Sequence, residues 1–235
     1  MGINANLLRV LLCAHAVVPE ASQKFINRDK NFRKSCGYGR VDESALRRSL
    51  KNAVTLIADG SIGNKRHHFY EIPIPDEFTS GGKRRLREIA VALAYTPVVR
   101  STRIKYRASR IDFRLVAAPD LKQVATMFNK ATEKDDYENI PEFKKGLIGK
   151  TVRSKGTVQA DCWQFRSFDS RSVLRNGRLF LVVTRNDFPW GESLCKTEES
   201  YSLVICLRDR ENKEAPLYTQ IENRLRDRMR ARFQR

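Results

Sequence analysis

From Ala53 onward the chain is a succession of short apolar runs: AVTLIA, HHFYEIPIP, REIAVALAY, RIDFRLVA, TVRSKGTVQA, RLFLVVTR and YSLVICLRD. Alternating or continuous Val, Ile, Leu, Phe and Tyr in pieces this short is the pattern of strands that are buried on one or both faces. Turn signals at Asp59-Gly60, Gly81-Gly82, Asn176-Gly177 and Trp190-Gly191 part the runs. The succession predicts a mainly β fold, a jelly-roll-like antiparallel β-sandwich over about residues 52–210. One stretch interrupts it. PDLKQVATMFNKATEKDDYENIPEFKKG predicts a helix and a charged loop inserted over about 118–149. At the end, Leu217, Ile221, Leu225 and Met229 recur every four residues, which predicts a C-terminal helix over about 216–232.

Before the strands comes a different texture. Residues 4–17 predict a helix, with Asn4 or Asn6 accepting from its first free N–H groups. Leu7, Leu8, Val10, Leu11, Leu12 and Ala14 make it apolar nearly all round, so it belongs inside a larger body. LLRVLLCAHAVV lacks the basic start of a signal peptide, and Asn6 stands where myristoylation wants Ser or Thr. No apolar run is long enough to cross a bilayer. The five cysteines are widely spaced and show no C-x-x-C pair, which suits free thiols in a reducing, cytoplasmic setting. After a basic loop at 19–35, Gly37-Tyr38-Gly39 makes a turn, and Asp42 or Ser44 caps a short helix through Leu50.

The formal charge of +18 favours acidic partners, nucleic acid among them. The candidate contact surface is Arg84, Arg85, Arg100, Arg103, Lys105 and Arg107, with Arg228, Arg230 and Arg232 near the end. Against it, RIDFRL puts Arg110, Asp112 and Arg114 on one strand face, as on an ordinary solvated strand. The terminal arginines wrap around their helix. His67 and His68 point to opposite faces of a strand and read as structural. Cys162 in Asp161-Cys162-Trp163 has no local base to activate it. Trp190 reads as a packed turn residue. The residues offer no catalytic, cofactor-binding or metal-binding set.

Taken together, NANLLRVLLCAHAVVPE and CGYGRVDESALRRSL resemble the last helices of a subtilisin-like serine protease domain. The matching positions are Leu7, Leu8, Arg9, Leu12 and Ala16, then Gly37, Tyr38, Gly39, Val41, Asp42 and Ala45. FYEIPIPDEF, the run from Arg87 to Val116, KGTVQ and YSLVICLRD resemble the C-terminal sandwich of an intracellular bacterial subtilase subgroup. The resemblance implies that residues 1–51 are a helical remnant of the catalytic domain and 52–235 an accessory sandwich. The family's Asp, His and Ser motifs, D-[ST]-G, H-G-T and G-T-S, do not occur here. The expectation is therefore a region that supports or gates a serine endopeptidase without hydrolysing peptides itself. Its partners would be the missing catalytic half or another protein chain, and an AAA ATPase. The alternative is a basic module that binds nucleic acid or protein.

Overall fold

In the run from Leu86 to Tyr95, Ile89, Val91, Leu93 and Tyr95 alternate with Ala90, Ala92 and Ala94, and all seven are buried. A strand turns successive side chains to opposite faces, so this one must be covered on both sides. The computed structural model shows how. It describes residues 4–18, 37–43, 46, 51–75, 78, 85–131, 140, 142–143, 146–166 and 178–233, with the side chains of 165–166 and 226–233 excepted.

The elements are α1 (Ala5–Ala14), β1 (Ala16–Val17), β2 (Arg40–Val41), β3 (Ala53–Gly63), β4 (His67–Ile72), β5 (Leu86–Tyr95) and β6 (Ser109–Ala118). There follow α2 (Leu121–Lys130), α3 (Lys150–Arg153), β7 (Val158–Arg166), β8 (Arg178–Asp187), β9 (Glu198–Asp209) and α4 (Leu217–Phe233). A four-stranded sheet has the order β3-β9-β5-β7, and a three-stranded sheet the order β4-β8-β6. Every pairing is antiparallel. Successive strands alternate between the sheets, and the pairs nest: β3 with β9, β4 with β8, β5 with β7. One long antiparallel ribbon is thus rolled into a jelly-roll sandwich. The helix α2 follows β6 at the closed end of the ribbon.

Between the sheets lies the main core. Ile89, Val91, Leu93, Leu203, Ile205, Leu207 and Trp163 on one side meet Ile111, Phe113, Leu115, Leu179, Leu181 and Val183 on the other. The start of α4 adds Leu217 and Ile221. Each sheet also has a covered outer face. Ala90, Ala92, Ala94 and Ala160 are small enough to seat α1 through Leu7, Val10 and Ala14. On the other side, Val116, Phe180 and Val182 meet Val124 and Phe128 of α2. The order of layers is helix, sheet, sheet, helix.

Several expectations are corrected. Asp59-Gly60 is not a turn: β3 runs through it, with Gly60 opposite Tyr201. A Cβ on Gly60 would stand 2.9 Å from the Tyr201 hydroxyl oxygen, so the glycine makes room for a crossing side chain. The predicted helix 4–17 ends at Ala14, and Ala16–Val17 pairs with Arg40–Val41. TVRSKGTVQA is split between α3 and β7. Arg110, Asp112 and Arg114 do share a face, but Asp112 and Arg114 are buried, so that face is not solvated. The turns at Gly81-Gly82 and Asn176-Gly177, the cap Ser44 and the charged loop at 132–139 lie outside the described residues.

Candidate functional site

Asn4 caps α1 by accepting from the Leu7 N–H at 2.7 Å. The helix lies with Leu7, Val10 and Ala14 against the four-stranded sheet. Its opposite side carries Leu8 and Leu12, one turn apart, 51% and 37% exposed. The Gly37-Tyr38-Gly39 turn braces the far end. Gly37 and Gly39 have φ of +55° and +99°. Tyr38 donates its hydroxyl to the Val158 carbonyl at 3.1 Å, and the Asp42 N–H bonds the His15 carbonyl at 2.9 Å. A Cβ on Gly39 would stand 2.4 Å from the Val17 carbonyl oxygen, whereas one on Gly37 meets nothing within 4 Å. Gly39→Ala is therefore expected to cost about 1–3 kcal/mol. Gly37→Ala is expected to cost less, about 1 kcal/mol. Urea titration of the two variants checks the order.

Beneath the end of α1 is a cluster that no sequence motif announces. His15 Nδ1 donates to the Leu11 carbonyl at 3.0 Å, which leaves Nε2 as the acceptor. Thr55 Oγ1 lies 3.3 Å from that nitrogen and Cys206 Sγ 3.8 Å. Burial pushes the Cys206 thiol up, but the hydrogen bond it shares with His15 and the Arg208 charge outweigh it and hold the thiol below its usual range. Nucleophile, base and orienting group are the parts of an activated thiol. Here they serve as a seam. Cys206 and His15 are 1% and 3% exposed, and the guanidinium of Arg208 donates to the Ala14 carbonyl across the same contact. No substrate reaches the sulfur while α1 is seated.

The other two histidines bond hydroxyl groups on neighbouring strands. His67 faces Thr184 at 2.9 Å, and His68 faces Tyr201 at 2.7 Å, on opposite faces of β4. Asp161 holds Arg153 and the N–H groups of Ile148 and Gly149. A shallow polar cleft of about 410 Å³ lies beside Arg66, Arg185, Asp187, Glu192 and Cys195. The Arg185 guanidinium is committed to Asp187 and to the Ile62 and Lys196 carbonyls. Burial raises the Cys195 thiol. Among the described residues no group of His, Cys, Asp and Glu is placed to hold a metal ion. No helix among them is long and apolar enough to cross a membrane.

The basic residues divide. Arg85 is bonded to Asp209 at 2.5 Å and 2.9 Å. Arg107 is buried, donating to the Tyr95 hydroxyl at 2.8 Å and to the Gly156 and Ser154 carbonyls. These two are internal fasteners. Arg100, Arg103 and Lys105 remain exposed on the loop from Pro97 to Tyr106. Arg100 lies 5.9 Å above the Trp190 ring and Lys105 5.4 Å above Phe188. Trp190 is the packed turn residue expected, donating to the Lys105 carbonyl at 3.1 Å. Arg84 and the side chains of Arg228, Arg230 and Arg232 lie outside the described residues.

Comparison with known proteins adds one relative. The chain is 30% identical over 232 residues to the uncharacterized protein y4bN of Sinorhizobium fredii, covering 96% of this chain and 51% of that protein. The chain thus spans about half the length of the curated relative it matches. No family model matches it.

Proposed function

We propose that this chain is the accessory, non-catalytic sandwich of a subtilisin-like serine endopeptidase, and that it supports or gates a catalytic body docked on α1. The observation that carries the reading is α1 itself. One face is buried in the sandwich, while Leu8 and Leu12 leave an apolar stripe on the other. A helix apolar on both sides is suited to lie between two bodies. The base and thiol that do meet, His15 and Cys206, are sealed under that helix, which suits a supporting role. The greater length of y4bN leaves room in a related protein for a second body of similar size. An AAA ATPase is a further partner that this reading admits, in the cytoplasm.

The coding sequence upstream of residue 1 tests it. An open frame carrying D-[ST]-G, H-G-T and G-T-S in that order is the expected result. A frame without them removes the reading.

One observation favours a second reading. Arg100, Arg103 and Lys105 share an exposed loop with Tyr106, and no acidic residue stands between Pro97 and Arg110. Such a loop suits the phosphates and bases of a single-stranded nucleic acid. That reading expects a gel shift that weakens steeply with salt and is lost when all three cations become alanine. A shift that survives their removal would count against it.

A further inference from the structure

The two sides of the sandwich are finished differently. On one side Phe143 and Leu147 tie to the sheet edges. The Phe143 N–H bonds the Leu115 carbonyl of β6 at 2.7 Å, and the Leu147 N–H bonds the Cys162 carbonyl of β7 at 3.0 Å. On the other side β3 is an edge strand of the four-stranded sheet, paired with β9 alone. Among the described residues, no backbone group from Val54 to Ser61 has a hydrogen bond other than to β9. Every second residue of an antiparallel edge turns its N–H and C=O outward. β3 therefore presents an open row along an eleven-residue strand.

Edges of this kind are ordinarily blunted by Lys, Pro or a bulge. AVTLIADGSIG has none of them. Its register with β9 is continuous from Ala53 to Gly63, and its one charged residue is Asp59, which accepts from Ser202 at 2.5 Å. Ile57 stands 46% exposed at the middle of the strand. In a chain of net charge +18, this is a nearly neutral strip.

The strip also fits itself. Two copies running antiparallel about a twofold axis at Ile57 set Ile57 against Ile57. Thr55 then faces Asp59, and Ala53 faces Ser61. On the core side, Leu56 meets Ala58 and Val54 meets Gly60, so each larger side chain faces a smaller one. A register centred one residue later sets Asp59 against the apolar Ile57. One centred two residues later sets Asp59 against its own copy. We infer that β3 is the interface for a second copy of this chain, joined edge to edge into one eight-stranded sheet with Ile57 on the twofold axis. The two bodies are both strongly basic, so the dimer is held by backbone pairing and weakened by long-range repulsion. Added salt screens that repulsion and should strengthen it. This surface is separate from the Leu8 and Leu12 stripe, and the inference does not depend on what covers that stripe.

The test combines sedimentation velocity with cross-linking of the full chain. The expected result is a monomer–dimer equilibrium that shifts toward dimer with protein concentration and with salt. Ile57→Lys should be monomeric under the same conditions, with an unchanged circular dichroism spectrum. Under mild oxidation Ile57→Cys should give a disulfide-linked dimer. Ser61→Cys should not, since position 61 faces 53, and neither should the unsubstituted chain. A chain that stays monomeric at every concentration and salt overturns the inference. So does a dimer that Ile57→Lys leaves intact or that Ile57→Cys fails to cross-link.

Discussion

Arg153→Met should destabilise the fold by about 3–5 kcal/mol, because it leaves the buried Asp161 carboxylate without its cation. Arg153 is wholly buried near the β7 edge. Its guanidinium lies 4.7 Å from the Phe113 ring centroid and 5.6 Å from that of Trp163. One nitrogen donates to Asp161 at 2.8 Å. The other donates to the Phe113 carbonyl at 2.8 Å and to Glu142 at 2.5 Å. Removing the cation leaves Asp161, itself fully buried, with only the backbone N–H groups of Ile148, Gly149 and Cys162. The methionine fills much of the volume, so the loss is electrostatic more than a cavity effect. Arg153→Met with Asp161→Asn should recover part of it, since the amide oxygen can still accept from those N–H groups while the charge is gone. The measurement is the urea midpoint of the two variants at constant slope. A loss under 1 kcal/mol for the single variant would mean that the knot contributes little.

Val10→Asp is expected to be as large but local. Val10 has no exposed surface and sits between α1 and the alanines of β5. A carboxylate there has no partner, and it escapes its desolvation cost most easily by lifting the helix. The sandwich core does not include Val10 and should persist. The uncovered seam supplies the readout. Cys206, silent to a thiol reagent while α1 is seated, should react at once in Val10→Asp, and the added labelling should fall by one site in Val10→Asp with Cys206→Ser, the remainder lying on Cys13 and Cys162 of the same seam. Unchanged labelling would show that α1 is held by something other than this face.

The strands were legible because their period is local. The runs from Ala53, Arg87, Arg110, Arg178 and Tyr201 all became strands, and the helix begun at Asn4 kept its cap. What misled was context. Asp59-Gly60 carries a turn signature, yet β9 pairs with it throughout and Tyr201 needs the space. Arg110, Asp112 and Arg114 read as a wet face because nothing local shows that α2, through Val124 and Phe128, will cover that sheet. The candidate cations looked alike in sequence. Arg107 is spent on Tyr95 and Gly156, and Arg85 on Asp209, through contacts set by the sheet register. His15 and Cys206 stand 191 residues apart, and only the seating of α1 brings them together. No sequence signal could have found that pair.

On the function proposed above, this chain would serve a serine endopeptidase without itself hydrolysing peptides. The most direct measurement is to treat the tagged chain, purified from cells that express it, with a serine-directed fluorophosphonate. The account predicts that the chain itself stays unlabelled while a co-purifying polypeptide bearing the Asp, His and Ser motifs is labelled. Both should part when Leu8 and Leu12 are replaced by aspartate. Label on this chain, or a preparation that carries nucleic acid and no labelled protein, would contradict it.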